Sequence, residues 1–314
     1  MSGTTWRNEL GKSKFVISLD FELHWGVFDS FGESYNENIL GARKAVPKIL
    51  ALFEKYDINA TWATVGLLFN ESDEDYRKYK PAATPSYEDK SLNAFDVGVG
   101  KNEDEDKLHF AHSLIQLIQD SPGQELASHS YSHYYCQSKG QTAQEFDSDI
   151  QSAVAIAKDK FKVNLKSFVF PKNQVNREYL DILRKNAFSI YREHSPSIFN
   201  WNFAERCYRL LNSFFKLSNG AANRVQEIDG IKAVNGDRFL RPYKFPVLNY
   251  LMLKRINDEM SFAAKNASVY HLWWHPHNFG KNLNENLNNL ENILSAYAAL
   301  REKYDMRSVC MRDL

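Results

Sequence analysis

Residues 15–26, which read FVISLDFELHWG, are the strongest indication of the fold. The first five of them are mostly aromatic or branched apolar side chains, which predicts a buried parallel strand at 15–19. Two acidic residues, Asp20 and Glu22, follow this run directly. Because α/β barrel enzymes carry their catalytic residues at the carboxyl ends of the strands, this stretch predicts a barrel strand that ends at an active site.

Predicted strands and helices alternate along the rest of the chain. Further strands are expected at 59–66, 125–128, 167–170, 188–192, 269–274 and 306–311. Helices are expected at 39–56, 109–118, 176–186, 283–297 and from a capping box at Thr142 and Glu145 to about residue 161. Pro47 predicts that the first helix begins just before it or bends there. About seven strands separated by helices, without a linker, predict one barrel-like α/β domain over residues 1–314.

Two long segments interrupt this alternation. Residues 70–107 are rich in charge, proline and glycine, and are expected to pass over the mouth of the barrel. Residues 195–246 are rich in aromatic and basic side chains, with a helix expected at about 203–217. Both segments are predicted excursions of the same domain.

The composition excludes several classes of protein. The chain has 314 residues, of which 43% are hydrophobic, enough for one large α/β core. Its 39 basic and 39 acidic residues balance, which argues against nucleic acid or an anionic membrane as partner. Three scattered cysteines favour free thiols. With no signal peptide and no run of roughly 20 apolar residues, we expect a cytoplasmic protein without an integral membrane segment.

Two polar clusters follow predicted strands. His129 and His133 are four residues apart and can face a single ion; the alternative is a pair satisfied by solvent or hydrogen bonds. Asp20 and Glu22 alternate along a strand, so their side chains point to the same side. The alternative for them is a salt bridge to a basic residue of a neighbouring strand. Together the clusters predict one carboxylate as metal ligand and the other as general base.

A third cluster follows the strand at 269–274. It contains three histidines, His271, His275 and His277, beside two tryptophans that core packing explains. One of the histidines is expected to be only a satisfied polar group. An imidazole at a strand end can protonate a leaving amine near neutral pH, and His275, directly before Pro276, is the predicted donor.

In this order, the segments from Phe15 to about residue 278 resemble those of the polysaccharide deacetylases, the NodB-homology carbohydrate esterases. The strand ending at Asp20 and Glu22 resembles the first family motif. Residues 129–133, HSYSH, resemble the family's His-Ser/Thr-x-x-His and are the most specific match. Residues 59–62 resemble the strand between these motifs, residues 168–173 the arginine-x-proline segment, and residues 272–275 the terminal leucine-x-histidine motif.

The resemblance implies a distorted (β/α)7 barrel of the polysaccharide deacetylase type that binds one divalent metal ion, with Zn²⁺ expected. The implied ligands are Glu22, His129 and His133, with Asp20 as base and His275 as acid. The reaction implied is hydrolysis of an N-acetyl group on an amino sugar. Substrate contacts are expected from six further side chains: Trp25, Lys172, Asn173, Arg192, Trp274 and His277.

This chain departs from the family pattern in three ways. Phe21 separates the two acidic residues, as in an Asp-x-Glu branch, so the roles of base and ligand could be exchanged. Val169 stands where the groove arginine is expected, so Lys172 or Arg192 would orient the carboxylate. The missing export signal favours a cytoplasmic precursor of a surface polysaccharide, such as a nucleotide- or lipid-linked amino sugar, over finished polymer.

Two other readings stay open at this point. On the same barrel, the acyl group could be formyl or the substrate a small cyclic amide. A barrel that binds carbohydrate without catalysis is the alternative from a different class. The sequence does not fix the oligomeric state.

Overall fold

The computed structural model describes residues 12–193, 212–214 and 224–314, and in these ranges ten strands form one curled sheet. The strands are β1 Lys14–Phe21, β2 Ala60–Thr64, β3 Gln124–Ser128, β4 Ser167–Val169, β5 Ile190–Glu193, β6 Gln226–Ile228, β7 Ile231–Asn235, β8 Arg238–Phe239, β9 Val269–Trp274 and β10 Arg307–Ser308. The helices are α1 Asn36–Tyr56, α2 Asp73–Lys78, α3 His112–Asp120, α4 Ala143–Phe161, α5 Leu180–Lys185, α6 Pro246–Lys265 and α7 Leu283–Tyr304.

The strand order is β6-β7-β5-β4-β3-β2-β1-β9-β8, with β10 beside β1. Every pairing is parallel except that of β6 with β7. Residues 236 and 237 connect the two edges of the sheet. Gly236 N donates to Glu193 O of β5 at 3.2 Å, and Asp237 N donates to His271 O of β9 at 2.9 Å. The predicted barrel is therefore confirmed, with its carboxyl strand ends on one side.

Side chains of each strand alternate between the barrel interior and the surrounding helices. The interior holds a small apolar cluster: Val16, Ala63, Val169, Ile190, Val234, Val269 and Met311. The opposite faces carry larger side chains, such as Phe15 and Trp62, that pack in the main core under the helices. In β1 this alternation places Ser18 and Asp20 on the interior side with Val16, because they are two and four residues further on.

Two of the predicted helices, α1 and α4, can be compared in detail with the structure. The helix α1 buries Val46, Ile49 and Phe53 and runs through Pro47, so a start just before the proline is wrong. The predicted capping box at the start of α4 is confirmed, since Thr142 Oγ1 accepts from Glu145 N and Glu145 Oε2 accepts from Thr142 N.

The structure describes the first excursion in full and the second in part. Residues 70–107 pack along α4 and the loop after β3: Tyr79 Oη donates to Asp159 at 3.0 Å, and Tyr87 Oη accepts from Tyr135 N at 2.8 Å. This segment therefore packs beside the loop that carries His129 and His133. The described part of the second excursion contains β6, β7 and β8, and α6 follows it; the sequence pattern did not predict these elements.

Most of the helix expected at 203–217 lies outside the described residues. The assignment of residues 1–314 to a single domain remains a prediction. Among the described helices, none combines the length and apolar character that a membrane crossing requires.

Candidate active site

Glu22 sits at the centre of the carboxyl end of the barrel. Its side chain is 4% exposed, and Oε2 lies 3.4 Å from His129 Nε2 and 3.3 Å from His133 Nε2. The chain turns sharply after it, with Leu23 at φ +45°. A Cβ at Gly26 would lie 2.0 Å from the Glu22 Cδ, so only glycine leaves room for this carboxylate.

The two histidines are held by a rigid loop after β3. His129 Nδ1 lies 2.8 Å from the Val169 carbonyl, which makes Nδ1 the protonated nitrogen and leaves the Nε2 lone pair facing Glu22. The Asp149 carboxylate of α4 accepts hydrogen bonds from the backbone N–H groups of Tyr131 at 2.6 Å and Ser132 at 3.0 Å. Asp149 thus stabilises this loop, although it lies outside the motif of residues 129–133.

These three side chains fit a metal ion. Two ligand atoms about 2.05 Å from a tetrahedral ion lie about 3.3 Å apart, close to the separations found here. His133 Nδ1 is buried and has no hydrogen-bond partner among the described residues, and burial lowers the pKa of His133, which keeps the imidazole neutral. Although burial opposes it, the imidazoles of His275, His129 and His133 hold the pKa of Glu22 well below its usual range. Glu22, His129 and His133 could therefore bind a metal ion together.

Asp20 lies beside this group and is oriented by Arg192 from β5. The two terminal guanidinium nitrogens, Nη1 and Nη2, each donate to one carboxylate oxygen at 2.7 Å, which makes a buried bidentate pair. Burial works against ionisation, but the Arg192 charge outweighs it and lowers the pKa of Asp20. Arg192 also donates to Ser18 Oγ at 3.0 Å, and Ser18 Oγ lies 2.8 Å from His271 Nε2. His271 is thus a buried polar support beneath the site.

Arg192 supplies the guanidinium that the family pattern expects from an arginine at the position of Val169. Of the two side chains considered for this task, Lys172 is bound elsewhere, with Nζ 3.1 Å from both Asp29 carboxylate oxygens. Asn173, in contrast, contacts the arginine that binds Asp20: its Oδ1 accepts from Arg192 Nη2 at 3.1 Å. Lys172 and Asn173 both have φ +53°, a left-handed backbone that side chains seldom adopt.

His275 faces both carboxylates. Its Nε2 lies 3.5 Å from Glu22 Oε1 and 3.8 Å from Asp20 Oδ2, and its side chain is 23% exposed. Asn278 Oδ1 lies 3.3 Å from His275 Nδ1 and accepts from the His275 backbone N–H, also at 3.3 Å, and the His275 side chain accepts from the Asn278 backbone N–H. His277 is buried behind it, with the two rings stacked at 4.9 Å between centroids. Both buried carboxylates therefore lie within 4 Å of one partly exposed imidazole.

Two of the predicted substrate contacts do not agree with the structure. Trp25 and Trp274 are 1% and 0% exposed, and the Trp25 indole N–H donates to His109 O, so both rings belong to the core. The neighbouring Trp273, for which the sequence predicts core packing, is partly exposed. Its ring stacks on Arg192, with 4.3 Å between the ring centroid and the guanidinium carbon. Strand alternation puts Trp273 on the side of His271 and His275, a signal available in the sequence.

The family model for polysaccharide deacetylase matches residues 30–191, just over half of the chain. The chain belongs to the polysaccharide deacetylase family. The predicted family is thereby confirmed, and membership indicates a deacetylase. Among curated proteins, none matches the sequence.

Two solved structures show how far the fold is shared. One, described as a candidate polysaccharide deacetylase from Mycobacterium smegmatis, has a TM-score of 0.62 at 10% identity over 100% of this chain and 92% of that one. The other, 4-alpha-glucanotransferase from Thermococcus litoralis, has a TM-score of 0.52 at 11% identity over 96% of this chain and 39% of that one. Since these relatives are named for different reactions, the deacetylase barrel alone does not determine the reaction.

Proposed function

We propose that this protein is a metal-dependent hydrolase that removes an N-acyl group, in the first place N-acetyl, from an amino sugar or glycan precursor. The observation that carries the proposal is the Glu22 carboxylate between His129 and His133 at 3.3–3.4 Å, with Asp20 and His275 beside it. A ligand set, a base and an acid are the parts that amide hydrolysis requires.

Glu22, His129 and His133 would hold one divalent ion, and their imidazole and carboxylate donors suit Zn²⁺. When bound, such an ion polarises the amide carbonyl and lowers the pKa of water. The three side chains are nearly fully buried, so they are already ordered before an ion enters. Burial also keeps the site dry, which strengthens its electrostatic interactions.

Asp20 would accept the proton of the attacking water. The Arg192 pair fixes the carboxylate plane and keeps it ionised, and the chain from Arg192 through Ser18 to His271 holds the guanidinium in place. Asp20 Oδ2 faces the same opening as His275 Nε2, 3.8 Å away. The base and the acid therefore work on the same side of the bound amide.

His275 would protonate the departing amine from Nε2. Its Nδ1 lies 3.3 Å from Asn278 Oδ1, and the reciprocal contacts between His275 and Asn278 fix the ring. A C–N bond in an amide breaks poorly unless the nitrogen is protonated, so this proton accompanies bond cleavage. The products would be acetate and a free amino sugar.

The sugar would lie against Trp273, next to Arg192 and Asn173, at the open side of the site. A partly exposed aromatic ring suits a sugar, because the apolar side of the sugar packs on the indole. A precursor of surface polysaccharide in the cytoplasm remains the proposed setting.

The test is release of free amine from N-acetyl amino sugars, both nucleotide-linked and oligomeric, by the Zn²⁺-loaded protein. We expect turnover by the wild type and a loss of about 10²–10⁴ in Asp20→Asn, which should retain its metal. His112→Ala is the control, since His112 pairs with Glu71 at the surface. Loss of metal from Asp20→Asn with turnover kept in Glu22→Gln would show that the two roles are exchanged. Amine release that is equal in the wild type and Asp20→Asn would contradict the mechanism.

A further inference from the structure

The two oxygens of Glu22 face different pairs of histidines. Oε2 faces His129 and His133, the proposed ligands of the catalytic ion. Oε1 lies 3.5 Å from His275 Nε2, again close to the separation of about 3.3 Å between two ligands of a tetrahedral ion. One carboxylate therefore meets imidazole nitrogens on both of its sides.

His277 completes the second group. It is 4% exposed, and its Nδ1 has no hydrogen-bond partner among the described residues. One ligand atom from each of Glu22, His275 and His277 lies within 4.8 Å of the others, as is also true of Glu22, His129 and His133.

We propose that Glu22 Oε1, His275 and His277 bind a second divalent cation of the Zn²⁺ type, with the Glu22 carboxylate bridging the two sites. A carboxylate bridge typically holds two ions roughly 3.5–4 Å apart. Two imidazoles and a carboxylate favour zinc over magnesium or calcium, which prefer oxygen ligands.

Occupancy of this site would inhibit hydrolysis, a part of the inference that rests on the proposed function. An ion on His275 takes the lone pair that must otherwise carry the proton to the leaving amine. The second site should be weaker than the first, because Glu22 is shared, two cations repel each other, and His275 is partly exposed to water. Zinc is thus expected to activate at low concentration and inhibit at high concentration.

Zinc stoichiometry tests the site without reference to turnover. Equilibrium dialysis of the full chain against rising free zinc should give two ions per wild-type chain and two in the surface control His112→Ala. His277→Ala and His277→Gln should each keep the tight ion and lose the weak one. His129→Ala should lose the tight ion and keep one weak ion. Circular dichroism establishes that each variant is folded.

The inhibition has its own measurement, the turnover at saturating zinc divided by the maximum turnover of the same variant. We expect a loss of at least about 10-fold in the wild type and less than about 2-fold in His277→Gln. A single ion in the wild type at millimolar zinc, or a second ion kept by both folded His277 variants, overturns the site. Two ions with the expected losses but no amine release from any substrate would overturn the proposed function alone.

Discussion

Two buried glutamates in the same barrel have opposite surroundings. Glu125, near the amino end, is 1% exposed and accepts hydrogen bonds from Thr61 Oγ1 at 2.7 Å and Ser167 Oγ at 2.6 Å. Burial raises its pKa despite these donors. Glu22, at the carboxyl end, is 4% exposed and meets imidazole nitrogens at 3.3–3.5 Å.

The difference shows that burial alone does not mark a functional carboxylate. Hydroxyl groups satisfy Glu125 within the protein, and it needs nothing further. The nitrogens around Glu22 carry lone pairs when neutral, so carboxylate and imidazoles together are stable at neutral pH only with a cation or protons between them. The nature of the neighbouring donors distinguishes a structural acid from a ligand.

The largest effect is expected from exchanging each glutamate for glutamine. Glu22→Gln removes a charged ligand, so zinc affinity should fall by more than about 10²-fold, beyond the range for groups that only orient ligands. Glu125→Gln should keep the zinc but lose about 1–3 kcal/mol of unfolding free energy, because the new NH₂ group faces a hydroxyl donor. Zinc titration and urea unfolding measure the two quantities. Equal losses of zinc in both variants would contradict the comparison.

The second prediction concerns proton donation. His275→Ala should slow amide hydrolysis by about 10²–10⁴, the usual range for a positioned acid. Hydrolysis of an activated ester should suffer much less, because its leaving group departs without a proton. Steady-state rates on a matched amide and ester measure the difference. Equal losses on both substrates would assign His275 to carbonyl stabilisation or to structure, and would make His271 or His277 the candidate acid.

Much of the fold follows from local sequence patterns. Apolar runs marked the strands that carry the site, and the Thr142 capping box marked the start of α4. The clusters at residues 20–22, 129–133 and 271–277 also meet in space, because parallel strands bring their carboxyl ends together. What the pattern could not supply was the choice between Lys172 and Arg192: Arg192 contacts Asp20 because β5 lies across the barrel from β1, a distance that no spacing in the sequence encodes.

Other misses have simpler causes. Trp273 could have been found by counting in steps of two from His275, since strand alternation fixes its side. Gly26 and Asp149 could not have been found in this way. Their roles depend on contacts in space, that of Gly26 with Glu22 and that of Asp149 with the backbone of Tyr131. The strands β6 and β7 are short and partly exposed, so their apolar pattern is weak.

Gly26 offers a test of how tightly Glu22 is held. In Gly26→Ala the new methyl group would overlap the Glu22 carboxylate, so the side chain must move away from His129 and His133. We expect zinc affinity to fall about 10–100-fold, as for other groups that position ligands. Gly32→Ala is the matched control, because a Cβ there meets nothing within 4 Å. Unchanged zinc affinity in Gly26→Ala would mean that Glu22 is not the ligand.

The last prediction concerns the pH dependence of stability that Asp149 causes. Asp149 is a third buried acid, and its surroundings differ from those of both glutamates. Burial raises its pKa from 3.8 to about 6, although backbone N–H groups of the histidine loop donate to it. Below about pH 3 it is protonated in both the folded and the unfolded chain. As the pH rises from about 4 to 6, the unfolded chain releases this proton first, so its contribution to stability falls by up to about 3 kcal/mol and is constant above.

Urea unfolding between pH 4 and 7, followed by tryptophan fluorescence, measures this decline. The difference in unfolding free energy between the wild type and Asp149→Asn should shrink as the pH rises, because the variant has no carboxylate to ionise. Asp147→Asn, two residues earlier on α4 and partly exposed, makes the same charge change outside the core and should follow the wild type. A constant difference across the range would mean that Asp149 is already ionised at pH 4. The histidine loop would then be anchored by a full charge, closer in kind to Asp20 with Arg192 than to Glu125.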